Sequence, residues 1–186
     1  LRSNYWLTIH VLTITLSYAA FMLAMGISNT TLFMFVKKRR AELAGQDSVA
    51  FSQRIATLNQ LCYRSMQFGV VLLAAGTILG GIWADYSWGR FWGWDPKEVW
   101  ALIALLVYIA ILHGRFAGWV GTFAFPLWTV ICFSTVIMAW YGVNFVLGVG
   151  LHSYGFSNGG QGSIAAFLIL QSVYCFWIVY EHRRSN

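Results

Sequence analysis

Five separate stretches of this chain are apolar over a length that matches a lipid bilayer, and this restricts the fold more than any other feature. A helix needs about 20 apolar residues to cross roughly 30 Å of hydrocarbon. In lipid, only helices and closed barrels satisfy every backbone polar group internally. The stretches cover residues 5–36, 66–86, 99–113, part of 120–147, and 164–180. The third is short alone and needs its flanks. The fourth carries Pro126 early, where a proline is tolerated. The expected fold is all-α: one polytopic membrane domain over residues 1–186, with five transmembrane helices and a Trp-rich external loop at 83–100. Composition agrees, with 59% hydrophobic and 10% charged residues, against about a quarter charged in soluble domains. This excludes a disordered chain, a collagen-like repeat and an ordinary water-soluble enzyme. Cys62, Cys132 and Cys175 are odd in number and form no CxxC pair, so neither a disulfide framework nor a structural zinc site is expected.

The cations give an orientation. One set of loops and tails holds Lys37, Lys38, Arg39, Arg40, Arg54, Arg64, Arg115, Arg183 and Arg184, while the other holds Arg2, Arg90 and Lys97. The positive-inside rule then places the N-terminus outside and the C-terminal tail inside. A net charge of +6 is read as this loop asymmetry, so no nucleic-acid partner is expected. Ile55, Leu58, Leu61 and Cys62 fall at helical spacing, which starts the second helix near Phe51 as an amphipathic stretch.

Chemistry concentrates in WADYSWGRFWGWDPKEVW, residues 83–100, where five of the ten tryptophans fall. An interfacial aromatic belt accounts for one or two rings per helix end. A platform for a flat, apolar ligand accounts in addition for Gly89 and Gly93, which let the backbone turn between large rings, and for the charged run that follows. Two histidines flank this segment on the same side of the membrane, His10 near the outer end of the first helix and His152 between the fourth and fifth. Imidazole is a common ligand of haem iron, and haem is a planar ligand that takes one from each side. Arg90 and Lys97 are the cations within the segment and the candidate partners of haem propionates. Asp95 and Glu98 read as N-terminal capping of the third helix, with Pro96 in its first turn, and as candidates to steer a ligand histidine. His113 falls about 21 Å below Val99 along the third helix. There it is either a functional intramembrane group or an interfacial neighbour of Arg115. His182, in EHRR, is expected to be solvated.

WGRFWGWDPKE, residues 88–98, resembles the WWD signature of haem-handling proteins in cytochrome c biogenesis. The continuation DPKEVWAL, the opening SNYWLTIHV and the late VNFVLGVGLHSYG are similar to the CcsA/ResC branch rather than the CcmC or CcmF branches, and they occur in that branch's order. The resemblance implies that His10 and His152 are axial ligands of haem b, carried as cargo, beside a platform of Trp88, Trp92, Trp94 and Asp95. It implies that His113 belongs to a transmembrane haem route, whose usual second histidine has no counterpart here. A C-terminal piece of a longer or fused protein is therefore expected, working with a ResB/CcsB-type partner. The implied activity is cytochrome c synthesis, in which haem is carried outward and joined covalently to the CxxCH motif of apocytochrome c. No residue is assigned as catalytic beyond haem positioning. A haem exporter without ligation chemistry and a bis-histidine membrane electron carrier are the alternatives. The implied location is the bacterial cytoplasmic membrane or the thylakoid membrane, with membrane lipid around the helices and the WWD loop external.

Overall fold

A computed structural model describes residues 4–152 and 159–184, so Arg2 and the end of the late motif lie outside the described residues. The elements are α1 (Asn4–Leu43), α2 (Val49–Trp88), α3 (Pro96–Phe116), α4 (Ala124–Ile137), a π-helical segment (Met138–Leu147) and α5 (Gln161–Arg183). Five helical stretches are long and apolar enough to cross a membrane, the fourth only when α4 and the π segment are taken together. The protein is thus an all-α, multi-pass membrane protein. Pro126 is the third residue of α4, where its missing N–H breaks no helical bond.

α1 and α2, with 40 residues each, are about 60 Å long at 1.5 Å per residue, roughly twice the hydrocarbon thickness. They form an antiparallel pair that projects beyond the bilayer at the cation-rich end. Its seam has a regular register in which the two residue numbers of each pair total 90. A Cβ placed on Gly69 would meet the ring of Phe21, one on Gly76 would meet Ile14, and one on Gly80 would meet His10. Ser28 and Cys62 continue the register with Oγ and Sγ 3.1 Å apart. On α2 the seam positions are 59, 62, 66, 69, 73, 76 and 80, alternating three and four residues apart as in an antiparallel coiled coil. Small residues face large ones along it, which is how helices approach closely in lipid, where no hydrophobic drive pulls them together.

The core lies where this seam meets α3 and α4. Tyr108 stacks on Phe21 with ring centroids 3.9 Å apart, and Met66, Leu73, Ala104 and Phe125 are fully buried around them. α5 packs loosely, with Ile178 its one buried residue. It is tied to α1 by a two-way amide pair, Asn29 with Gln171 at 3.2 and 2.9 Å, and by the Tyr174 hydroxyl donating to the Asn29 carbonyl at 2.8 Å.

Two expectations are corrected. Of residues 83–100, only 89–95 are non-helical, because α2 continues through Trp88 and α3 starts at Pro96. α2 begins at Val49, near the expected Phe51; along it Ile55 and Cys62 are buried while Leu61 is half exposed. His182 is not simply solvated: its ring stacks on Phe123 at 3.8 Å and 11°.

Candidate functional site

The seam delivers His10 to the end of the α1–α2 pair that lies beside the Trp-rich turn. Gly80 makes room for its ring, and Nδ1 lies 2.7 Å from the Gly76 carbonyl oxygen. A carbonyl only accepts, so Nδ1 carries the proton and Nε2 keeps a free lone pair.

His152 arrives by a different route. α2 ends at Gly89 in the left-handed conformation (φ 72°), which frees the chain to turn. Arg90 then folds its guanidinium into the space that a side chain on Gly93 would fill, 3.8 Å from the Glu98 carboxylate. Phe91 packs back on Gly81. Asp95 caps α3 in a capping box, accepting from the Lys97 N–H at 3.0 Å while Glu98 accepts from the Asp95 N–H at 3.1 Å. Glu98 also accepts from the Gly93 N–H at 2.8 Å. The same Asp95 reaches the distant loop: Oδ1 is 3.0 Å from Nδ1 of His152, and Oδ2 accepts from the Leu151 N–H at 2.6 Å. Gly150 permits this approach, with φ 99° and a Cβ position 2.3 Å from Oδ2 of Asp95. Burial alone would raise the Asp95 carboxyl pKa, but the hydrogen bonds from Lys97, His152 and Leu151 outweigh it and hold the group below its ordinary value. An ionised Asp95 fixes the His152 proton on Nδ1, which again leaves Nε2 free.

Both histidines line the same space. A cavity of about 740 Å³ between α1, α4 and α5 is walled by His10, His152, Lys97, Tyr18, Trp140 and Asn144 among others, a volume within the range of ligand pockets. A smaller cavity of about 70 Å³ shares His10, Lys97 and His152 and adds Phe91, Trp92 and Glu98. The walls are mostly apolar. The Lys97 ammonium donates to Asn144 of the π segment at 3.0 Å.

The expected site residues therefore separate into those that meet and those that do not. His10, His152, Lys97 and Trp92 share cavity walls. Trp88 sets its ring edgewise to His152 at 5.0 Å, and Trp83 supports Trp88 at 4.7 Å. Trp94 is 71% exposed with φ 57° and touches Trp92 edge-on. Arg90 stays with Glu98 and the Trp88 ring, 5.8 Å from its centroid. His113 is exposed near the far end of α3, with Nδ1 bonded to the Ile109 carbonyl at 2.8 Å. It lines neither cavity. Sequence reasoning missed Gly76, Gly80 and Asn144. The recurrence of small residues at Cys62, Gly69 and Gly76, seven apart on α2, with Gly80 one turn further on, was a signal for the first two.

Fold and site define a multi-pass membrane protein with paired histidines in an apolar cavity beneath a tryptophan-rich turn. The chain belongs to the cytochrome c assembly protein family, whose model matches residues 1–152. It is 40% identical over 178 residues to the cytochrome c biogenesis protein CcsA of Prochlorococcus marinus (strain MIT 9312), covering 86% of this chain and 56% of that protein. The CcsA of Synechococcus sp. (strain RCC307) is 40% identical over 179 residues, with 83% and 55% covered. Protein NrfI of Wolinella succinogenes is 39% identical over 152 residues, with 81% and 16% covered. The chain thus spans about half the length of the CcsA relatives and a smaller part of NrfI.

Proposed function

We propose that this chain holds haem b as cargo between His10 and His152 and presents it for covalent attachment to apocytochrome c. The observation that supports this best is that both rings share one cavity and have Nδ1 already engaged, by Gly76 and by Asp95. Histidines that bind metal usually donate the other ring N–H in this way. The donor set fits haem: two imidazoles with Nδ1 engaged, apolar walls, and Lys97 as a cation for a propionate. Arg90 is the weaker propionate candidate because Glu98 already faces it.

These residues bind and orient, and positioning can supply much of a barrier without an enzymic acid or base. Trp88 braces His152, and Trp92 closes one wall, so that a vinyl edge faces the incoming peptide. In the joining step each CxxCH thiol adds across a vinyl C=C. Sulfur bonds to one carbon and the thiol proton ends on the other, so nothing leaves and no electrons are exchanged. The acceptor's own histidine then replaces one of the protein's two ligands. The proposed setting is a bacterial cytoplasmic or thylakoid membrane, with the Trp-rich turn outside and the basic hairpin inside. A ResB/CcsB-type partner completes the assembly, and His113 faces that partner or a transmembrane haem route.

The test is maturation of a reporter cytochrome c by the full-length protein and its partner in cells lacking other maturation systems, scored by haem staining after denaturing electrophoresis. Wild type should yield covalent haem, and His152→Ala should abolish it. Haem bound to the membrane protein without any stained cytochrome from wild type would favour an exporter.

A further inference from the structure

The opposite end of the bundle carries a second cleft that the haem reading does not use. It has a volume of about 540 Å³ and is walled by Phe35, Lys38, Asn59, Tyr63, Arg115 and Phe116 among others. Its level in the bilayer is marked by Phe116 and Trp119, which are 84% and 85% exposed, as aromatic residues are at the headgroup boundary. Among the described residues this end of the bundle carries nine cations and three acids, Glu42, Asp47 and Glu181, whereas the other end carries two cations, Arg90 and Lys97, and three acids, Asp85, Asp95 and Glu98.

Two observations make this more than a charged rim. The Arg115 guanidinium is held in place by one bond to the Val120 carbonyl at 3.0 Å and by the Phe125 ring. Its remaining N–H groups have no protein acceptor among the described residues, so they are free for an anion. Asn59 is 5% exposed, and its amide N–H₂ donates to the Thr122 carbonyl at 3.0 Å. That bond fixes the amide's orientation and leaves Oδ1 buried without a donor, a costly state that a hydroxyl would relieve. Lys38 adds a second cation; its pairing with Glu42, at 3.7 Å, is long and only partly buried.

We propose that this cleft binds one anionic phospholipid headgroup bearing a free hydroxyl, of the phosphatidylglycerol type. The phosphate meets Arg115 and Lys38, the headgroup hydroxyl donates to Asn59, and the acyl chains follow the apolar faces of Phe35, Tyr63 and Phe116 into the bilayer. Basic pockets between transmembrane helices are common lipid headgroup sites.

Native mass spectrometry of the full-length protein, released from nanodiscs of defined lipid, tests this. A one-to-one phosphatidylglycerol adduct should survive detergent exchange, persist in Arg54→Gln, which changes an exposed cation outside the cleft, and fall at least about tenfold in Lys38→Gln, beyond the roughly fivefold loss that one basic residue near an anionic surface accounts for. Lys38→Gln carries the test because Arg115→Gln also removes a structural bond. Phosphatidylmethanol, anionic but without hydroxyls, should be retained less. Equal retention of phosphatidylcholine, equal losses in Arg54→Gln and Lys38→Gln, or displacement by millimolar inorganic phosphate would each overturn the assignment. Equal retention of phosphatidylmethanol would remove the role of Asn59.

Discussion

The two histidines of the cavity are held by different kinds of structure. His10 stands at the last position of a helical seam, oriented by the Gly76 carbonyl and by the space above Gly80. Moving it means moving one of two 40-residue helices against the other. His152 stands on a turn that reaches the core through the two oxygens of a single carboxylate, Asp95. The first imidazole is carried by helix packing and oriented by one backbone carbonyl, whereas the second is carried by a turn whose tie to α3 is a single carboxylate. On the proposed function one ligand must yield to the acceptor's histidine, and the expected one is His152, whose turn can leave without moving a helix.

The largest effect should come from breaking the packed side. Gly80→Val places methyl groups where the His10 ring lies, with the Cβ itself 2.6 Å from Cε1. Haem should be lost even though both ligands remain, and stability should fall by about 1–3 kcal/mol, as overpacking usually costs. Haem content by pyridine haemochrome assay and thermal unfolding in detergent read the two consequences separately.

On the hydrogen-bonded side, Asp95→Asn separates the carboxylate's two tasks. Asn caps a helix nearly as well as Asp, so α3 should keep its N-terminus, but an amide has one acceptor oxygen where the carboxylate has two, so one of the N–H groups that converge on Asp95 loses its acceptor and stability should fall by about 1–3 kcal/mol. The partner of His152 loses its charge, however, and haem affinity should fall about 10–100-fold, measured by competition with an apo-globin. An unchanged affinity would show that the turn is held by something other than this carboxylate.

The smallest effect is the pH dependence of the same contact. The folded-state pKa of Asp95 lies below its unfolded value of about 3.9. Its ionic contribution to stability is therefore complete above the unfolded value and is lost as pH falls through the lowered folded one. The difference in unfolding temperature between wild type and Asp95→Asn should hold from pH 7 to about 4 and shrink only below that. A difference that vanished already near pH 6 would point to protonation of an imidazole instead.

How far these features could be read from the residues depended on whether they were local. The five spans and the α3 cap follow from runs of apolar residues and from the order Asp95, Pro96, Lys97, Glu98, which needs no distant partner. The union of His10 with His152 does need one; the topology put both on one side of the membrane beside the tryptophan-rich segment, and the resemblance to a known family singled them out as a pair. The extension of α2 through Trp88 was hidden by aromatic and glycine residues that look loop-like locally, although packing of Trp83 against Trp88 keeps the helix going. Asn144 was invisible because its link to Lys97 joins a π-helical segment to another helix, and nothing in the local sequence announces that geometry.

The central claim is that Nε2 of His10 and Nε2 of His152 hold one haem iron. The most direct measurement is the absorption spectrum of the purified full-length protein, wild type beside His10→Ala and His152→Ala, each with and without imidazole. Six-coordinate, low-spin haem should appear in wild type, be lost in either variant and return when imidazole fills the vacated position. Low-spin haem unchanged in both variants would contradict the account and move the ligands elsewhere in the protein.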